Sequence, residues 1–150
     1  MHRCLVSPAA WNDSAIRLTE SEEHHLLDVL RAQPGDRVTL FDGQGREALA
    51  QISLLPRTGK AGGPRIAMPL VEAVRTVQPG VSITLIQALP KGQRMDWIVE
   101  KATELGASVI LPVITERVVA RLSEKQKPER RDRWQRIAAS AAKQCQTNWI

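Results

Sequence analysis

The chain has 150 residues, of which 43% are hydrophobic and 25% are charged, and its formal net charge at pH 7 is +5. This composition is typical of a soluble globular protein with one ordinary domain or two small ones. No apolar run reaches the roughly 20 residues that span a bilayer, and a proline interrupts the N-terminal apolar stretch, so we expect a cytoplasmic protein without a signal peptide. Cys4 and Cys145 lack the spacing of a metal or redox site, so we expect reduced thiols and no metal.

The positive charge is concentrated in the second half of the chain. Residues 1–75 hold nine Lys or Arg and nine Asp or Glu, whereas residues 76–150 hold twelve and seven. Much of the excess lies in residues 117–136, which carry eight basic and three acidic side chains. This asymmetry favours a polyanionic partner such as nucleic acid, although a solvated helix face would give the same pattern.

The first half of the chain predicts short strands, tight turns and one helix. An opening strand is expected at residues 2–6. A helix is expected at 19–32, where Thr19 and Glu22 have capping-box spacing. Its predicted apolar stripe consists of Leu26, Val29 and Leu30.

The strongest hairpin signal follows this helix, at residues 34–55. Its "PGD" and "DGQG" segments favour turns, and the flanking "RVTLF" and "EALAQISL" favour strands. A loop at 56–64 then precedes an extended segment at 65–74. Several short strands with one helix predict a small β-barrel over residues 1–75.

Pro79 and Gly80 mark a boundary in the sequence pattern, and residues 76–150 predict an α/β domain. The nearly continuous apolar run at 81–89 predicts a strand buried on both faces of a parallel sheet, and "SVILPVI" predicts the next strand. The helix between them has its predicted stripe at Met95, Ile98, Val99, Ala102 and Leu105.

A last helix is predicted to begin near Pro128, since proline is tolerated in a first helical turn. Its predicted buried stripe is Trp134, Ile137, Ala138, Ala141 and Cys145. The four tryptophans are expected in the core or at an interface rather than as stacking platforms. Two parallel strands leave a sheet edge open, so we expect this second domain to be incomplete.

Three blocks in order resemble the ribosomal RNA small subunit methyltransferase E family. They are "HHLLDVLRAQPGDRVTLFDGQG", "KGQRMDWIVEKATELGASVILPVITERV" and "RWQRIAASAAKQC". The resemblance implies an N-terminal PUA-like barrel and a knotted α/β methyltransferase domain of the SPOUT class. It also implies a homodimer that uses S-adenosylmethionine to methylate N3 of a uridine in 16S rRNA of the small ribosomal subunit. The Gly-Pro-Glu-Gly turn of the knot is absent here, so the knot and the donor site are expected beyond residue 150.

The resemblance also implies candidate site residues. Methylation at N3 requires the imide nitrogen to lose its proton, and a cation near the uracil oxygens would stabilise the transition state. The candidate for this role is Arg117, which follows the second predicted strand and cannot itself act as the base. The candidates for RNA contact are His25, Arg31, Lys91, Arg94, Lys125, Lys127, Arg130, Arg131 and Arg133, with Arg136 in the same basic cluster.

Each candidate has a plainer alternative. Arg117 could be an ordinary loop arginine, and Lys91 and Arg94 could serve solubility. His25 could be packed in the core, whereas Arg31 is expected at an exposed helix end. A non-catalytic RNA-binding protein is the main alternative function, and a nucleotide-binding fragment of another βαβ enzyme is disfavoured because no glycine-rich phosphate loop follows either strand.

Overall fold

The computed structural model describes the whole chain except residues 12–14, 56–65, 79 and 117–122. The chain divides into two compact units, Met1–Gln78 and Pro79–Ile150. This division lies just beyond residue 75 because Arg75–Thr76 forms a strand that pairs within the first unit. In the described part of the chain, no helix is both long enough and apolar enough to cross a bilayer.

The first unit contains two sheets and one helix. Its strands are β1 (His2–Leu5), β2 (Ala15–Ile16), β3 (Arg37–Phe41), β4 (Arg46–Gln51), β5 (Ser53–Leu54), β6 (Ile66–Pro69) and β7 (Arg75–Thr76). A short 3-10 turn spans Pro8–Ala10, and α1 (Glu20–His24) continues into a π-helical turn at His25–Val29. One sheet has the order β1-β3-β4-β7 and the other β2-β6-β5, with only β1 and β3 parallel among these pairs.

The predicted closed barrel is not found among the described strands. An isolated antiparallel bridge between Ala50 and Leu70 links the two sheets, but the ladder of paired strands does not close. Side chains from both sheets nevertheless meet in one core, which includes Val38, Leu40, Ile66 and Met68. Because burial of each such side chain contributes roughly 1.5–3 kcal/mol, this core stabilises the unit.

The predicted hairpin is confirmed, and Asp42 organises its turn. The Asp42 Oδ1 atom accepts the backbone N–H groups of Gln44 (2.8 Å) and Arg46 (3.0 Å). Gly43 and Gly45 both have positive φ, at 73° and 97°, which glycine adopts without the steric cost of a Cβ atom. The "DGQG" segment is therefore a hairpin turn.

The predicted helix at 19–32 is only partly regular. Its capping box is supported by the Thr19 Oγ1 atom, which accepts the Glu22 N–H at 3.3 Å. The predicted stripe is wrong beyond Leu26, since Val29 and Leu30 are 57% and 38% exposed. The π-helical turn widens the helix, so Val29 at its end and the following Leu30 no longer face the core at the expected spacing.

The second unit contains β8 (Thr84–Ala88), α2 (Arg94–Glu104), β9 (Val109–Val113) and α3 (Gln126–Cys145). The strands β8 and β9 are parallel, with Ile86 opposite Leu111. Side chains of α2 and α3, including Met95, Val99 and Ala138, pack together with Ile110 of β9. The predicted β-α-β arrangement is therefore confirmed.

The prediction of a strand buried on both faces is wrong for the described residues. Ile86 and Leu111 are 65% and 49% exposed, and they alternate with the half-buried Leu85 and Ile110. Since successive side chains of a strand point to opposite faces, only one face of this two-stranded sheet is covered by α2 and α3.

The helical stripes of the second unit are mostly confirmed. In α2, however, Leu105 is exposed, because it caps the helix beyond its last turn. Thr103 is buried in its place, and its hydroxyl donates to the Val99 carbonyl oxygen at 2.8 Å. In α3, Ala142 is buried in addition to the predicted stripe, while Cys145 is only half-buried. Both cysteines are free thiols.

Candidate nucleic-acid interface

The second unit presents cations from two places, the turn before α2 and the length of α3. Gly92 has φ 75°, which allows the tight turn after β8 and leaves Lys91 and Arg94 exposed near the start of α2. Along α3, Lys127, Arg131 and Arg136 are exposed and Arg130 is half-buried, and the exposed Lys125 immediately precedes the helix as its N-cap. The predicted cluster is thus brought together on one 20-residue helix.

Arg133 differs from the other cations of α3 because an acid of α2 holds it. Its Nε and Nη2 atoms donate to Asp96 Oδ2 at 2.9 and 2.6 Å, and Trp134 Nε1 donates to Asp96 Oδ1 at 3.1 Å. The hydrogen bond from Arg133 lowers the pKa of Asp96 below its usual range, and the same bond raises the pKa of Arg133. Arg133 therefore joins two helices and has less freedom to reach a phosphate.

Six of the remaining cations fall into two groups. Lys127 pairs with Glu124 at 2.6 Å and Arg131 approaches Asp132 at 3.5 Å, in exposed ion pairs that contribute little. By contrast, Lys125 and Arg136 form no ion pair with any residue that the structure describes, and the same holds for Lys91 and Arg94. Side chains of this second group can engage a phosphate without first breaking an ion pair to a described residue.

In the first unit, His25 is the first residue of the π-helical turn, and Arg31 follows its C-cap residue, Leu30. His25 is exposed, so the alternative of a packed core histidine is wrong. Arg31 is exposed as expected and has φ 55°, an uncommon conformation for a residue with a Cβ atom. Exposed Val29 and Leu30 lie between the two candidates.

The first unit also has a small cavity that the sequence did not indicate. Its volume is about 150 Å³, and Thr39, Glu47, Leu49 and Arg75 contribute to its lining. The Glu47 carboxylate pairs with Arg75 and lies 3.7 Å from Arg3, whose guanidinium lies over the Phe41 ring. The sequence could not indicate this cluster, because Arg3, Phe41, Glu47 and Arg75 come from four different strands of one sheet.

Arg117, the catalytic candidate, lies outside the described residues. Sequence reasoning missed Asp96, which organises Arg133 and Trp134. The available signal was an acid in the first turn of a helix whose neighbouring helix is basic.

The fold and the basic surface belong to a defined class of protein. Residues 18–58 match the model of the RNA methyltransferase PUA domain, and residues 77–150 match that of the RNA methyltransferase domain. The two matches follow the order of the two structural units. The class is therefore an RNA methyltransferase with a PUA domain.

Named relatives narrow this class to a family. Ribosomal RNA small subunit methyltransferase E of Synechocystis sp. is 33% identical over 149 residues, or 99% of this chain and 46% of that protein. The protein of that name from Neisseria gonorrhoeae, solved bound to S-adenosyl methionine, has a TM-score of 0.83 and 33% identity, covering 100% of this chain and 60% of that one. A Legionella pneumophila putative methyltransferase, solved with the bound cofactor SAM, has the same TM-score and coverage at 27% identity.

The chain belongs to the ribosomal RNA small subunit methyltransferase E family. It spans about half the length of the curated relatives that it matches.

Proposed function

We propose that the protein carrying this chain transfers a methyl group from S-adenosylmethionine to N3 of a uridine in 16S rRNA. In this proposal the first unit docks on RNA, and the second unit supplies the beginning of the methyltransferase domain. The reaction would take place on the small ribosomal subunit in the cytoplasm, with a homodimer as the working form. The observation that carries the proposal is the ordered match of both units to RNA methyltransferase domains.

The exposed cations support RNA as the partner. Lys125 and Arg136 on α3, with Lys91 and Arg94 near α2, would contact phosphates, because a cation without a competing carboxylate loses little on binding. Lys127, Arg130 and Arg131 would strengthen the local positive potential. Arg133 would mainly hold α3 in place through Asp96. In the first unit, His25 and Arg31 would contact RNA beside the π-helical turn.

Arg117 keeps its proposed role near the reacting base. It follows β9 by a few residues, and α/β folds bind ligands beyond the carboxyl ends of their strands. A guanidinium there would stabilise negative charge on the uracil oxygens as N3 loses its proton. A different group must accept that proton, because arginine remains protonated.

The cavity of the first unit does not fit a methyl donor of this size. Pockets for ligands of drug-like size occupy roughly 300–1,000 Å³, at least about twice the volume of this cavity. In addition, Glu47 within it is already paired with two arginines. The chain spans about half the length of its curated relatives, and on that ground we propose that the knot and the donor site belong to sequence beyond residue 150 and that the 150-residue chain alone is inactive.

The test is methyl transfer from labelled S-adenosylmethionine to small ribosomal subunits that lack the modification. The 150-residue chain is compared with the full product of its gene, and the Neisseria gonorrhoeae relative serves as positive control for the substrate. Nucleoside analysis of the product should identify 3-methyluridine. We expect activity from the full product and none from the 150-residue chain.

Other outcomes would distinguish the proposed function from its alternatives. Activity of the 150-residue chain would mean that the donor site is within these residues. RNA binding without activity in any form of the protein would favour a non-catalytic RNA-binding protein. A labelled nucleoside other than 3-methyluridine would support methyltransferase activity but contradict N3 of uridine as the methylated atom.

A further inference from the structure

Trp97 is an exposed aromatic ring on a helix whose apolar residues are otherwise mostly covered. Its exposed fraction is 64%, whereas Met95 and Val99 on the same helix are 2% and 3% exposed. The other aromatic side chains lie elsewhere in the fold: Phe41 is buried, and Trp11, Trp134 and Trp149 are half-buried. Trp97 therefore lies outside the core, which was one of the two places predicted for the tryptophans, the other being an interface.

The charged side chains near Trp97 differ between the start and the end of α2. Arg94 precedes it by three residues and therefore lies on the same side of the helix, one turn closer to Lys91. Arg94 and Lys91 form no ion pair with described residues. One turn further along the same side of the helix, Lys101 donates to Glu100 at 2.8 Å and to Glu104 at 2.9 Å, so these charges largely satisfy one another. The free positive charge near Trp97 thus lies towards the start of α2.

We propose that Trp97 is a stacking platform for an unpaired nucleotide of RNA, with Arg94 and Lys91 contacting the adjacent phosphates. The inference rests on the proposed function, because it takes RNA as the partner of the second unit, and it adds a specific contact. The indole ring offers a flat face on which any base can stack, which is how proteins commonly hold single-stranded nucleic acid.

Charge favours RNA over a protein surface as the occupant. The unit that carries Trp97 has the whole positive excess of the chain. Arg94 and Lys91 form no ion pair with the residues that the structure describes. A flat apolar partner would gain from Leu105, which is 83% exposed at the end of the same helix, as much as from Trp97. Of these two apolar side chains, only Trp97 has a ring on which a base can stack. The two occupants therefore predict different responses at these two positions.

The test uses a single-stranded oligouridylate of about ten nucleotides, within the range that one RNA-binding domain covers. Binding is followed by tryptophan fluorescence and by a separate measurement of affinity. We compare the unmodified chain with Trp97→Leu, which keeps an apolar side chain, and Trp97→Phe, which keeps a ring. Leu105→Ala is the matched control for an exposed apolar residue. Sedimentation measurements report the oligomeric state of each variant.

We expect the oligonucleotide to quench fluorescence in the unmodified chain, and this change to disappear in Trp97→Leu. Affinity should fall roughly 5- to 150-fold in Trp97→Leu, since stacking contributes about 1–3 kcal/mol per base. It should fall less in Trp97→Phe and stay unchanged in Leu105→Ala.

Three results would overturn the inference while leaving the proposed function intact, provided that RNA is bound. They are unchanged affinity in Trp97→Leu, equal losses in Trp97→Leu and Leu105→Ala, and a change of oligomeric state in Trp97→Leu. Failure of the unmodified chain to bind any RNA, including small-subunit rRNA, would overturn both proposals. The two failures are therefore distinguishable.

Discussion

Asp96 and Arg133 are joined by two hydrogen bonds to a single carboxylate oxygen, Oδ2, at 2.9 and 2.6 Å. Asp96 lies in the first turn of α2 and Arg133 in α3, so the pair links the start of α2 to α3. Trp134 donates to the other oxygen of the same carboxylate. Both oxygens of Asp96 therefore bind side chains of α3.

Replacing Asp96 with Ala should destabilise the second unit by about 1 kcal/mol or somewhat more, because hydrogen bonds to charged groups are lost and the Trp134 N–H loses its acceptor. The half-exposed position of Arg133 limits the loss. The measurement is urea unfolding followed by tryptophan fluorescence. Asp132→Ala is the control, since its contact with Arg131 is 3.5 Å and exposed. Equal losses in the two variants would contradict a specific role for Asp96.

The same carboxylate gives a prediction about pH. The hydrogen bond from Arg133 lowers the pKa of Asp96 below 3.8, so its contribution to stability is fully present above pH 3.8. It should be lost as pH falls through the lower pKa of the folded state. The stability difference between the unmodified chain and Asp96→Asn should therefore be constant from about pH 5 to 8 and shrink below about pH 4. A difference that instead grows on acidification would contradict this assignment.

The sequence predicted what depends on local pattern and missed what depends on distant partners. Turn residues such as Asp42 and the spacing of Met95 and Val99 located the hairpin and α2, because these signals are contained in neighbouring residues. The exposure of Ile86 could not be predicted, because a run of apolar residues has the same sequence pattern whether one or both faces of the strand are covered. The exposure of Val29 depends on a π-helical turn, for which the sequence carries no periodic signal.

The candidate site divides in the same way. The charge run located the cations of α3, since clustering is visible in the sequence itself. The sequence did not distinguish Arg133, which Asp96 holds, from Arg136, which forms no ion pair with described residues. Their different partners come from an acid 37 positions away from Arg133. Only the packing of α2 on α3 brings that acid into reach.

Glu23 is a buried carboxylate of α1 that should matter for the stability of the first unit. Its Oε1 atom accepts the N–H of Ile66 at 3.0 Å, at the first residue of β6. Replacement with Ala would leave that buried N–H without this acceptor, and we expect a loss of about 1–3 kcal/mol in the free energy of unfolding. Glu23→Gln should lose less, because the amide oxygen can still accept. The exposed Glu20→Gln is the control and should change little.

Arg31 tests backbone strain and RNA contact separately. Its φ of 55° disfavours residues with a Cβ atom, so Arg31→Gly should unfold at an equal or higher denaturant concentration, and Arg31→Val at a clearly lower one. Both variants remove the same charge, so both should weaken RNA binding equally if Arg31 contacts a phosphate. Weaker binding in Arg31→Val alone would mean that the loss comes from misfolding and that the cation is not involved.

The salt dependence of RNA binding should identify which cations contact phosphates. Replacing Lys125 and Arg136 together with Gln should reduce the slope of log affinity against log salt by about 0.7 per lost contact on single-stranded RNA. The control is Arg17→Gln with Arg37→Gln, which removes the same total charge from exposed positions in the unit whose charges balance. A contact releases counterions at a particular phosphate, whereas net charge acts weakly and at a distance, so only the first pair should change the slope. Equal slopes in the two double variants would mean that RNA responds to total charge rather than to α3.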